Sequence, residues 1–376
     1  MVATIFALTV MVGVGTSTMP PALAAVQRTF GVSPDVAGML LAVFTLPGLV
    51  LTPLGGYLAD RVGRRGVLVG SLLLFAAAGA AALSAERFEH LVVVRIIQGI
   101  GAASLGALNV TLISDFFDGH ERVRLLGFNH SVLSIGTAIL PIISGWLAGA
   151  NWRLPFALPI VGVIVAAGVL LFIPPYSHTP AISSDAPSDG RVNRLALALL
   201  LGISVATYAV LFGPFLNYLQ ERIRVLEPEG PALYERIGAM VGLMSVATTL
   251  GALGVGRLSQ RFPLHQLLII ACVLYSAALV LFVAVPTYAL LVIPTVLFGL
   301  AQSLNQPVVQ SLVACLASAE RRGTVLSLNR TAALLGQTVG PLLFGAVYRS
   351  GGLEMVFIVG AALMLACAGA LWWRRL

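Results

Sequence analysis

Three short stretches place ionisable side chains where they could do chemistry. In "GGYLADRVGRR" (55–65), Asp60 stands among Arg61, Arg64 and Arg65, just after a double glycine. In "RIIQGIGAA" (95–103), Arg95 precedes Gln98 by three residues and Gly99 by four. In "GFNHSVLSIG" (127–136), His130 lies six residues past Arg124. A carboxylate among guanidinium groups forms ion pairs; an arginine holds charge but does not release its proton. An imidazole titrates near physiological pH and can pass a proton on, although a core histidine that only hydrogen-bonds a neighbour is an equal reading of His130. Nothing in the chain suggests an enzyme: there is no HExxH, no GxSxG and no Cys/His cluster. Cys272, Cys315 and Cys367 read as small apolar packing residues, so neither a metal nor another cofactor is expected.

The elements that hold these residues must be membrane helices. The 376 residues are 58% hydrophobic and 10% charged, with a mean hydropathy of +0.97, well beyond the usage of soluble domains. Runs long enough to cross a hydrocarbon core of about 30 Å fall near 3–26, 36–59, 66–84, 90–113, 124–148, 153–174, 193–218, 235–257, 264–285, 288–312, 324–347 and 353–373. The expected fold is therefore an all-α polytopic membrane protein with twelve spans. The first run lacks a basic n-region and continues through "TSTMPPALAAV", so it is read as a helix rather than a signal peptide. The net charge of +7 comes from 22 arginines and no lysine, spread over short turns rather than gathered on a face. That distribution excludes a nucleic-acid surface. Thirteen of the arginines lie on one set of loops and seven on the other, so the positive-inside rule puts both termini in the cytoplasm.

A polar stretch rich in Ser, Pro and Asp (176–193) reads as a cytoplasmic linker between six-helix bundles at 1–175 and 194–376. A second polar stretch, "QERIRVLEPEGPALYER" (220–236), reads as an external loop. The two halves repeat at a shift of 200 residues. Gly56, Leu58 and Arg61 lie over Gly256, Leu258 and Arg261; Asn129, Gly136, Pro141 and Gly145 lie over Asn329, Gly336, Pro341 and Gly345. Parallel six-helix repeats imply a substrate cavity at the midplane between them.

On these residues the chain resembles the major facilitator superfamily, and within it the twelve-helix drug:proton antiporters. Gly56-x-Leu58-Ala59-Asp60-Arg61-x-Gly63-Arg64-Arg65 is similar to motif A of that family, and "RIIQGIGAA" to motif B in the fourth span. "GTAILPIISG" (136–145) is similar to motif C, except that Leu140 stands where a glycine usually precedes the proline; the copy in span eleven keeps Gly340-Pro341. The resemblance implies that Asp60 packs against the start of the eleventh span. It also implies that the arginines pair with a carboxylate ending the fourth, a role for which Asp115 is placed. Such a latch would close the cytoplasmic side; for Arg64 and Arg65, simple topology is the competing reading. For Arg95, with Gln98 and Gly99 beside it, the resemblance implies proton transfer or substrate-linked conformational change. Arg95 lies about five residues inside its span, deep enough to be functional unless it snorkels outward. No Asp or Glu falls in the middle of a predicted span, which leaves the proton carrier unassigned.

Pro141 and Pro341, with Gly136, Gly145, Gly336, Gly340 and Gly345, could kink spans five and eleven and seal one side of a cavity, or only let helices pack closely. Polar and aromatic residues at mid-span sketch that cavity: Thr16 and Ser17, Asn109, Tyr208, Phe212, Phe215, Asn217, Gln302, Asn305 and Gln306, with Arg330 opposite His130 in the repeat. Hydrogen bonding between helices is an equal use for each of them. The expected function is proton-coupled export of small lipophilic or amphipathic compounds by a monomer in a prokaryotic inner membrane. The alternative is an organic-acid or other anion exchanger built on Arg95 and Arg330.

Overall fold

The computed structural model describes residues 1–174, 194–227, 231–317 and 322–374, and every regular element among them is helical. Eleven helices are long and apolar enough to span a bilayer. Ten of them are α1 (Val2–Phe30), α2 (Pro34–Val62), α3 (Arg64–Ala82), α4 (Phe88–Phe116), α5 (Gly119–Ala150), α6 (Leu154–Phe172), α7 (Arg194–Leu226), α8 (Pro231–Arg261), α9 (Leu264–Ala284) and α10 (Ala289–Cys315). The last, Arg322–Arg374, is interrupted at Gly352, whose φ of 76° and ψ of −170° are not helical. It therefore supplies two spans, α11 (322–351) and α12 (353–374), for twelve among the described residues. The linker expected at 176–193 lies outside the described residues.

Proline writes the irregularities into these helices. In α1, Pro20 and Pro21 have no N–H to offer the carbonyls one turn back, and the helix breaks at Thr18 into Val2–Ser17 and Met19–Phe30. In α7, Pro214 does the same within a π-turn at Leu211–Phe215. The α2–α3 turn rests on one residue, Gly63, with φ 100° and ψ 132°, a conformation that side chains strain against.

The chain forms two compact units, Met1–Ile182 with Tyr234–Gly242, and Ser183–Leu233 with Leu243–Leu376. In the first, Leu8, Leu68, Leu72, Phe75, Leu105 and Leu112 make an apolar core. In the second, Ile203, Leu267, Leu268, Val308, Val313 and Leu371 do so, beside an aromatic stack in which the Phe215 and Phe298 centroids lie 4.5 Å apart. Large apolar side chains such as Ile164, Leu171 and Leu253 are left exposed, the pattern of a surface solvated by lipid.

The loop expected at 220–236 is overturned. Leu219–Leu226 is helical and continues α7, burying Leu219, Gln220, Glu221 and Ile223, while α8 already begins at Pro231. The charges that read as a loop lie on an amphipathic helical turn with an apolar stripe of Leu219, Ile223 and Leu226.

Candidate functional site

Where the α2–α3 turn meets the end of α4, Arg64 and Asp115 form an ion pair, Nη1 donating to Oδ2, with side chains only 12% and 7% exposed. The Arg65 guanidinium donates to the Leu170 carbonyl in the last turn of α6, where the helix dipole favours a cation. The pairing of Arg64 with Asp115 is the one that the sequence anticipates. Arg61 is exposed on the same turn. The side chains of Gly56, Leu58 and Asp60 lie outside the described residues, so the role expected of Asp60 is neither drawn nor removed.

Arg95 is 2% exposed and does not snorkel. Nη2 donates to the Gly15 carbonyl at 2.9 Å, Nε to the Leu40 carbonyl at 3.3 Å and Nη1 to Gln98 Oε1 at 3.0 Å. The guanidinium lies 4.1 Å from the centroid of the Phe44 ring. Gln98 in turn donates to the Phe156 carbonyl at 3.4 Å. One cation on α4 thus ties α1, α2 and, through Gln98, α6. Its partners are neutral oxygens and an aromatic face, which compensate a buried charge less completely than a carboxylate would.

A second polar knot was only half legible. Asn129 Nδ2 donates to Asn109 Oδ1 at 2.9 Å, and Asn109 Nδ2 to the Ile5 carbonyl at 2.8 Å. The Thr9 hydroxyl sits within reach of both amide oxygens. In the second unit the repeat partner Asn329 accepts from Ser204 at 2.6 Å. The repeated asparagine was the available signal; Thr9 and Ser204, ordinary in the sequence, were missed. Asn109, expected in a cavity wall, is consumed by this knot.

The other expected cavity residues are dispersed. Phe212, Phe215, Asn217, Gln302 and Asn305 are buried inside the second unit, Tyr208, Thr16 and Ser17 are half-buried, and Gln306 and Arg330 are exposed. Gln302 accepts from the Tyr275 hydroxyl, so it joins helices. His130 is exposed on α5 next to buried Asn129.

Three of the motif C glycines, Gly145, Gly336 and Gly340, serve backbone contact. A Cβ at Gly336 would strike the Val205 carbonyl, and one at Gly340 would lie 2.6 Å from the Ala209 carbonyl, so α11 rides directly on α7. In the first unit a Cβ at Gly145 would lie 2.5 Å from the Tyr234 carbonyl, whereas Gly136 meets only Leu140 of its own helix. Gly345, Pro141 and Pro341 are buried, and both prolines sit within continuous helix.

A carboxylate that the sequence reading left in a loop is the main addition. Glu221, near the C-terminal end of α7, is 5% exposed and receives Arg224 Nη2 at 3.3 Å. Around it lie buried Asn217, Tyr218 and Gln220. Asp35 is buried as well, but at the first turn of α2, where a helix N-terminus accounts for it.

Residues 5–229 and 197–376 match the model of the Major Facilitator Superfamily, which together covers nearly the whole chain. The chain belongs to this superfamily. Among curated members, it is 25% identical over 358 residues to the quinolone resistance protein NorA of Staphylococcus aureus (strain MSSA476), covering 90% of this chain and 87% of that protein. It is 29% identical over 167 residues to the multidrug transporter protein MdtP of Bacillus subtilis (strain 168), covering 44% of this chain and 31% of that one. A crystal structure of a mutant of the nucleoside transporter NupG superposes with a TM-score of 0.81 at 15% identity, over 99% of this chain and 98% of that chain. At that identity the likeness establishes the facilitator fold alone. This facilitator is thus a multi-pass membrane transporter related to drug exporters.

Proposed function

We propose that this transporter exports small lipophilic or amphipathic compounds in exchange for protons, by alternating access, from the cytoplasmic membrane of a bacterium. Its similarity to NorA along nine-tenths of its length supports drug-type efflux. The observation that carries proton coupling is Glu221, a buried carboxylate near the C-terminal end of α7 that pairs with the exposed Arg224. A carboxylate so placed can exchange its ion pair for a proton, which an arginine cannot do. Arg95 and its helix contacts, and the Arg64–Asp115 latch, are the parts whose rearrangement would follow. The arginine bias supports cytoplasmic termini, and a monomer suffices.

The anion-exchange alternative drew its support from the absence of carboxylates in the spans, which buried Glu221 weakens, and from Arg330, which is exposed. Everted membrane vesicles separate the two. Respiration-driven uptake of a lipophilic cation, abolished by a protonophore and unaffected by organic anions, is the expected result. Uptake of an organic anion in exchange for another, indifferent to the protonophore, would overturn it.

A further inference from the structure

We propose that Phe44 is a positioning residue for Arg95, acting through the face of its ring. The inference rests on the reading of Arg95 as part of the transport cycle. Three observations converge on it. The guanidinium carbon stands 4.1 Å from the ring centroid, within cation–π range, and both side chains are buried, Arg95 at 2% and Phe44 at 7% exposure. Two glycines admit the residue: a Cβ at Gly15 would collide with the para edge of the ring, and one at Gly99 with the Phe44 backbone carbonyl. The same Gly15 gives its carbonyl to Arg95 Nη2, three residues before the break in α1 at Thr18.

The parts form one device. Gly15 admits the ring, the ring seats the cation, and the cation holds the last turn of α1 before its proline break, with Leu40 on α2 as the second tether. Because the partners of Arg95 are neutral, the ring's negative face supplies attraction that a carboxylate would give elsewhere, without locking the charge in place. Gly15 and Gly99 are thereby explained by what they make room for.

The test replaces Phe44 by phenylalanines carrying one, two or three fluorines on ring carbons other than the para carbon, which abuts Gly15; these drain the face of the ring with little change of shape. Melting temperature in detergent and ethidium transport in everted vesicles are read for each. Both are expected to fall stepwise with fluorine number, with transport down about tenfold at three fluorines. The dependence should vanish in Arg95→Gln and in Gly15→Ala, whose added methyl displaces the ring. Phe44→Leu should lose function. A response that is flat in the Arg95 protein, or equally steep in Arg95→Gln, would show Phe44 to be packing alone and overturn the proposal. If the unaltered protein transports nothing, the transport reading fails, and the melting series by itself decides the seat.

Discussion

Arg64 begins α3 and Asp115 stands next to the end of α4, so each sits at the unfavourable pole of its own helix dipole. Together they offset that cost, and removing one partner would take a charge-assisted contact from a nearly buried group. Such a loss costs about 3–5 kcal/mol in a fully buried pair. Asp115→Asn should therefore lower the melting temperature and cut transport at least roughly fivefold, the equivalent of about 1 kcal/mol. The swap Arg64→Asp with Asp115→Arg should recover most of both; a swap no better than the single change would mean that the pair is not the latch. At this scale the sequence was informative where charge was out of place. Arg95, Arg64 and Asp115 announced themselves because an ion in an apolar chain needs a reason. Phe44, Thr9 and Ser204 did not, because their work depends on what faces them from another helix. Glu221 was hidden by its company: four charged residues within 220–224 and 227–229 resemble solvated loop until the apolar stripe opposite them is seen.

Among the helices, glycine marks where backbones meet. Gly336 and Gly340 bring α11 onto the carbonyls of Val205 and Ala209 in α7, so a Cβ there has nowhere to go. Overpacking of this kind costs about 1–3 kcal/mol or more. Gly340→Val should lower the melting temperature strongly, and Gly136→Ala, on an open stretch of α5, should scarcely change it. Equal effects at the two sites would contradict the packing described. Gly63 is a different case, since space is free around it but φ is 100°. Gly63→Ala should cost about 1–3 kcal/mol through backbone strain alone, measurable as a lower melting temperature. Span number and position were legible from hydropathy, because the bilayer sets helix length. Helix ends at α7 and α8 were not, since an amphipathic turn at an interface reads as polar loop.

For the whole molecule, thirteen arginines against seven predict both termini inside. Reporter fusions at residue 1 and residue 376 should both signal from the cytoplasm, and a split result would refute the orientation. In the proposed cycle, protons entering through Glu221 drive export. The most direct test uses purified protein in proteoliposomes with a pH dye trapped inside and no initial gradient. On addition of a lipophilic cation outside, the lumen should turn alkaline as substrate enters and protons leave. Glu221→Gln should abolish the pH change while still exchanging labelled for unlabelled substrate. Substrate entry without alkalinisation, or full coupling in Glu221→Gln, would contradict it.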